Sequence, residues 1–175
     1  MLREHPTILV VNEGAHIYPM ETFQNDIDDF FTKNIETSRR SDDMVIYRST
    51  APGHEHCENY SEPFTSQEEF KEPTMYNWNM MTKYNDYVKS KLSSLSLMQN
   101  ENGENRVKLM YLDIYNMTIL RPDGHSSHGR DCLHYVIPGV PDYWNHLLYS
   151  NLLDYFGVRE ENDENDVDCD TEQLS

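Results

Sequence analysis

Three short aliphatic stretches, each followed by a segment of helical periodicity, constrain this chain more than any other feature in it. Ile8, Leu9, Val10 and Val11 form an unbroken apolar run inside Thr7–Asn12. That is the pattern of a strand in a parallel sheet covered on both faces. A polar turn with Gly14 and Pro19 follows, and then Phe23, Ile27, Phe30, Phe31 and Ile35 recur at helical spacing among Asp and Asn. Met44–Arg48 reads as a second strand and Ser49–Phe70 as a long connection rich in Pro and Glu. Met80, Tyr84, Tyr87, Val88 and Leu92 mark a second helix, and a polar linker from Gln99 to Asn105 leads to a third strand, Val107–Leu112. The last helix takes Asp142 as its N-cap, buries Trp144, Leu147, Leu148, Leu152 and Tyr155, and stops at Gly157.

This alternation predicts the α/β class, with a parallel sheet between helices in a three-layer α/β/α sandwich. The strands should be neighbours joined by right-handed crossovers. Ligands in such sheets sit beyond the carboxyl ends of the strands, and Asn12, Ser49 and the segment after Asp113 all fall at that edge. A chain of 175 residues has material for one domain, expected over residues 1–156. The remainder, 157–175, holds eight acids against the single base Arg159 and is expected to be a disordered acidic tail. It contributes −7 of the formal charge of −17, a balance that argues against a nucleic-acid or anionic-membrane partner, since phosphate binding needs clustered Lys and Arg.

Membrane and export signals give a divided answer. No apolar run approaches the length of a bilayer span, and Met1-Leu2-Arg3-Glu4 leads into the first strand without a leader pattern, which by itself suits a cytosolic chain. The triplets Asn59-Tyr60-Ser61 and Asn116-Met117-Thr118 are glycosylation acceptors, which suit a secretory one.

Polar clusters at the expected ligand edge supply the candidate chemistry. Asp131 and His134 stand three residues apart on a segment closed by Pro138, Gly139 and Pro141. On a tight turn that spacing lets the carboxylate reach Nδ1 of its neighbour, fixing the tautomer and leaving Nε2 as a general base. The spacing equally fits a surface turn whose Asp caps a peptide. Asn12 and Gly14 leave the first strand as candidate oxyanion donors, or as an ordinary turn. Arg48 and His54 are candidates for polar contact with a substrate, while Ser49 makes a poor nucleophile because no glycine-tight elbow surrounds it. His54-Glu55-His56-Cys57 has no second Cys/His pair at ligand spacing, and His125 and His128 would complete a site only by assumption, so no metal is expected. Arg121-Pro122-Asp123-Gly124-His125 reads as a turn near the same edge. By count alone Cys57, Cys132 and Cys169 are reduced thiols. A Cys57–Cys132 bridge is the competing hypothesis, motivated by both lying beside the candidate site.

These blocks together resemble a family. Asp131-Cys132-Leu133-His134-Tyr135, Pro138-Gly139-Val140-Pro141-Asp142 and Trp144-Asn145 are similar to the C-terminal signature of the PC-esterase group. That group includes the trichome-birefringence-like polysaccharide O-acetyltransferases and lies within the Ser-Gly-Asn-His (SGNH, GDSL-type) hydrolase superfamily. Asn12-Glu13-Gly14, Arg48-Ser49-Thr50 with Pro52-Gly53-His54 and Cys57, and Arg121–His125 resemble its earlier blocks, so the likeness runs from Thr7 to Tyr155. The resemblance implies that Asp131 and His134 are the acid and base of a Ser-His-Asp triad. It places the serine in a Gly-Asp-Ser turn after the family's first strand, a triplet that this sequence does not contain. Val136 stands where the family often has a further Cys.

The expectation is therefore the C-terminal half of a glycan O-acetyltransferase or esterase, with the N-terminal segment of the same domain as its missing partner. Such an enzyme needs no cofactor beyond an acyl donor as co-substrate, takes a glycan or other hydroxyl as acceptor, and belongs in the secretory pathway or Golgi. The chain alone should be inactive. Its first strand, lacking neighbours, should expose an apolar edge and face. The alternative is a catalytically inactive SGNH-like protein that binds glycans or acts as a scaffold.

Overall fold

In a computed structural model of the chain, the structure describes residues 5–16, 19–33, 41–102, 107–125 and 131–158. Strands β1 (Ile8–Val11), β2 (Met44–Arg48) and β3 (Lys108–Leu112) form a parallel sheet in the order β1-β2-β3. The register pairs Val10 with Ile46 and Ile46 with Met110. Helices α1 (Met20–Phe31) and α2 (Met81–Asn102) cover one face and α4 (Val140–Phe156) the other, while α3 is a single turn over Tyr115–Thr118. This is the expected α/β class with its three layers.

The strand period of two divides the core. Leu9, Val11, Val45, Tyr47 and Leu109 face α1 and α2, where Phe23, Ile27 and Phe31 meet Tyr84, Val88 and Leu92. The Phe23 and Tyr84 rings stack 4.2 Å apart. Met44, Ile46 and Leu112 face Trp144, Leu147, Leu148 and Leu152 of α4. Ile8 and Val10 share that second face but lie beyond the reach of α4, and they are 46% and 44% exposed. The expectation of a first strand buried on both faces is thus corrected: among the described residues, β1 is an edge strand covered on one side only. Its bare apolar face is the one anticipated for a strand without neighbours.

Two helix boundaries and one burial differ from the sequence-based expectation. Helix α2 runs through Asn102, absorbing the start of the expected polar linker, because Gln99–Asn102 contains neither Gly nor Pro to stop it. Helix α4 starts at Val140 with Gly139 as N-cap, and Asp142 sits three positions into it. There the Asp142 carboxylate accepts from the Gly139 N–H at 2.7 Å, a role Asp fills well at a positive helix end. Tyr155, expected in the core, is exposed one turn beyond the last residue packed on the sheet. The helix does stop at Gly157, whose φ of 68° forms a left-handed C-cap. Ile35, His128, Cys169 and the acidic tail from 159 onward lie outside the described residues.

Candidate active site

The turn that carries Asp131 and His134 is held from both ends. Upstream, a disulfide joins Cys132 to Cys57 with their Cα atoms 5.5 Å apart, and the His54 N–H donates to the Cys132 carbonyl at 2.9 Å. Downstream, the Val136 N–H donates to Gly124, and Tyr135 forms an isolated antiparallel bridge with His125. The buried Tyr135 hydroxyl donates to the Pro52 carbonyl at 2.7 Å. Gly53 belongs to the same support, because a Cβ there would overlap the Trp78 ring.

Within this frame the Asp131 carboxylate divides its oxygens. Oδ1 accepts the backbone N–H groups of Leu133 (3.0 Å) and His134 (2.9 Å). Oδ2 faces His134 Nδ1 at 2.7 Å. Partial burial pushes the Asp131 carboxyl up, but the two backbone N–H groups and the imidazole outweigh it and hold the carboxyl below its ordinary value. An ionised carboxylate places the ring proton on Nδ1 and leaves Nε2 as the acceptor. The side chains of His134 and Asp131 are 67% and 46% exposed, so the pair sits at a surface and not under a lid.

Two clefts meet at His134. One, of about 470 Å³, runs between the Asp131–His134 turn, Ala15 and His16 on one side and Met75, Tyr76 and Trp78 on the other. The second, of about 290 Å³, is lined by Asn12, Arg48, Thr50, Trp144 and the His134 ring. Tyr76 and Asn77, on the rim of the first, hold left-handed backbone conformations with φ of 52° and 57°. Strained non-glycine residues of this kind gather at binding sites.

The end of β1 is organised around Asn12. Its amide donates to the Arg48 carbonyl (2.9 Å) and to Thr50 Oγ1 (3.1 Å), while its carbonyl accepts from Arg48 Nη2 (2.8 Å). The Arg48 guanidinium also stacks over Trp144, 5.1 Å from the ring centre, and burial pushes its pKa down. Gly14 follows with φ of 125°, where a Cβ would come within 2.7 Å of Thr50 Oγ1, so both space and conformation call for glycine. Arg48 and Asn12 thus share the second cleft with His134.

His54 and Ser49 do not join them. His54 is 3% exposed, and both its ring nitrogens are engaged, one by His125 and one by the Ile119 carbonyl. The expected substrate contact is therefore corrected to an internal one. Ser49 is fully buried, and its Oγ accepts the N–H groups of Ile114 (2.9 Å) and Tyr115 (3.1 Å), which leaves it no path to a substrate. The one potential metal group among the described residues, Cys57, Glu58 and Cys132, has its two sulfurs bonded to each other and not available as thiolates. Asn59 and Asn116 are both exposed, as acceptor asparagines must be.

Three contributors escaped the sequence. Tyr76 and Trp78 lie in a connection without periodicity, and no pattern marks them as cleft walls. Asn85 clamps the Thr50 peptide, accepting from its N–H (2.7 Å) and donating to its carbonyl (3.0 Å). Its signal was available: a lone amide on the apolar face of α2, one turn from Met81.

A model of PC-Esterase, the GDSL/SGNH-like acyl-esterase family found in Pmr5 and Cas1p, matches residues 11–151. Among similar curated proteins, xylan O-acetyltransferase 2 of Oryza sativa subsp. japonica is 25% identical over 85% of this chain. Protein trichome birefringence-like 9 of Arabidopsis thaliana is 27% identical over 77% of it. The matched part makes up 33% of the length of each, so the chain spans about a third of these relatives. A shorter stretch, 25% of the chain, is 47% identical to protein trichome birefringence-like 42 of the same plant.

Proposed function

The chain belongs to the PC-esterase family, and from that premise we propose that it is the C-terminal half of a glycan O-acetyltransferase or esterase working through a Ser-His-Asp triad. The 2.7 Å contact between Asp131 and His134, on a turn pinned by a disulfide at the meeting of two clefts, carries this reading. The serine comes from an N-terminal segment of the same domain that pairs with the free edge of β1, next to the exposed Ile8 and Val10. His134 Nε2 takes the proton as that serine attacks the acyl donor and returns it to the donor's departing group, while Asp131 steadies the imidazolium in between. Asn12, whose amide hydrogens go to the Arg48 carbonyl and Thr50 Oγ1, positions Arg48 and does not itself donate to an oxyanion. Gly14 lines neither cleft, and Arg48 contacts the substrate. A sugar hydroxyl, or water, then receives the acyl group from the serine. No metal or nucleotide enters this scheme. The secretory pathway or Golgi is the matching compartment, in keeping with the disulfide and the two exposed acceptor asparagines.

A non-catalytic glycan binder is the second reading, and it draws on the apolar rings of Tyr76 and Trp78 in the larger cleft. One experiment separates the two. The chain alone, mixed with an activated ester, should form no acyl-enzyme. Joined to the Gly-Asp-Ser half of a trichome-birefringence-like relative it should form one, and Asp131→Asn in the joined protein should cut turnover by about 10⁴-fold. A joined, folded protein that binds glycan and never becomes acylated supports the binder.

A further inference from the structure

Beneath the Asp131–His134 turn, two buried histidines meet ring to ring. His54 is 3% and His125 4% exposed, and His54 Nδ1 lies 2.8 Å from His125 Nε2. The outer nitrogens both face carbonyl oxygens. His54 Nε2 is 3.0 Å from that of Ile119, and His125 Nδ1 is 3.0 Å from that of His134 itself. A carbonyl can only accept, so each outer nitrogen carries a hydrogen. A neutral imidazole has a single N–H, so in two neutral rings both hydrogens are then spent. The inner nitrogens would confront each other as lone pairs at 2.8 Å. One more proton converts that repulsion into a charge-assisted N–H···N bond. The nearby Tyr135 hydroxyl, 3.3 Å from His54 Nδ1, does not substitute for it, because its hydrogen goes to the Pro52 carbonyl.

We propose that His54 and His125 hold one extra proton between them, and that this proton fastens the catalytic turn through the hydrogen bond from His125 Nδ1 to the His134 carbonyl. The two are positioning residues, and the second half of the statement rests on reading His134 as the base. The charges facing the pair come from three sides. Asp123, forked onto Arg121 at 2.9 Å, favours charge on both rings, and Asp131 favours it on His125, whereas His134 opposes it. On the side of the long connection the rings of Phe64 and Phe70 shield His54 at 5.9 and 5.4 Å, with Glu55, His56, Tyr60, Glu69 and Lys71 along the cleft beyond. Burial pushes both rings toward the neutral form, His54 to about 4. That cost falls on the shared proton too, and the 2.8 Å contact between the rings, the two carbonyl acceptors and Asp123 are what hold it. A single proton shared across the contact is a separate macroscopic step. Its loss as pH rises brings the two inner lone pairs face to face again and loosens the hold on the His134 carbonyl.

Imidazole ¹⁵N NMR of the full chain, labelled at histidine, tests this without any mutation. At about pH 6 the expected result is three ring-bound protons over His54 and His125, one on each outer nitrogen and one between the rings. As pH rises the third should depart, and the Nδ1 proton of His134 bound to Asp131 should broaden with it. In His54→Phe, His125 should carry its Nδ1 proton alone over that same rise in pH. Two ring protons on the pair at every pH from about 5 to 8 would overturn the proposal, as would a second ring proton on His125 at about pH 6 in His54→Phe. If that variant does not fold, the unmutated titration decides alone. The proton count is independent of acyl transfer, so it can fail while the triad reading stands, and stand while that reading fails.

Discussion

Asp131 does its work with both oxygens, and this makes it visible to acid. Its Oδ1 closes the turn through two backbone N–H groups while Oδ2 orients the imidazole, so protonating the carboxyl loosens the turn and frees the ring together. Partial burial raises its pKa, but those bonds prevail and set it below the ordinary carboxyl value. A depressed folded pKa means a contribution fully present above the unfolded value of about 3.9 and lost as pH falls through the folded one. Thermal midpoints of the chain and of Asp131→Asn should therefore differ at about pH 6 and converge below about pH 3. A constant gap across that range would show that the charge of Asp131 plays no part in holding the turn. At this scale the sequence carried a good deal. The Asp131 to His134 spacing was sufficient to anticipate the contact, because a short turn leaves a carboxylate few other places to go. It was insufficient for His54, whose neighbours in sequence resemble a substrate loop while its neighbours in space, His125 and Ile119, lie more than sixty residues away.

Among the elements, the long connection after β2 does more than join. Through Cys57 it is covalently tied to the Asp131–His134 turn across a sequence separation of 75 residues. Through Gly53 and Trp78 it forms the wall of the larger cleft. Closing a loop of that length restricts the unfolded chain, an effect on the order of 3–5 kcal/mol. Replacing Cys57 and Cys132 by Ala should lower the urea midpoint accordingly, and adding reductant to the unmodified chain should reproduce the loss. An unchanged midpoint in both cases would show that the noncovalent contacts of the turn suffice. The strands and helices themselves were legible from periodicity, since alternate burial in strands and the helical stripe both follow from local geometry. The connection was not, because a segment without regular structure is shaped by the surfaces it lies on. The start of α4 was misplaced for a related reason: Asp142 is as suitable inside the first turn as before it, and only the Gly139 backbone distinguishes the two.

Taken whole, the described residues form a three-layer unit whose β1 is covered on one side only. The edge of β1 and its exposed Ile8 and Val10 form a template for another strand. Sedimentation of the chain at rising concentration should show self-association, and Val10→Lys should suppress it without lowering the thermal midpoint, since Val10 contributes little to the covered core. A chain that stays monomeric at high concentration would show that the edge is protected. By itself the sequence determined the α/β class, the three strands, and the Asp131–His134 pair with the turn that holds it, for these rest on periodicity and on contacts between near neighbours. Only the tertiary structure decided that Ser49 is sealed under α3, that His54 turns inward onto His125, and that β1 is bare on one side. Each of those depends on what packs from a distant part of the chain, and one-dimensional spacing carries no measure of that distance.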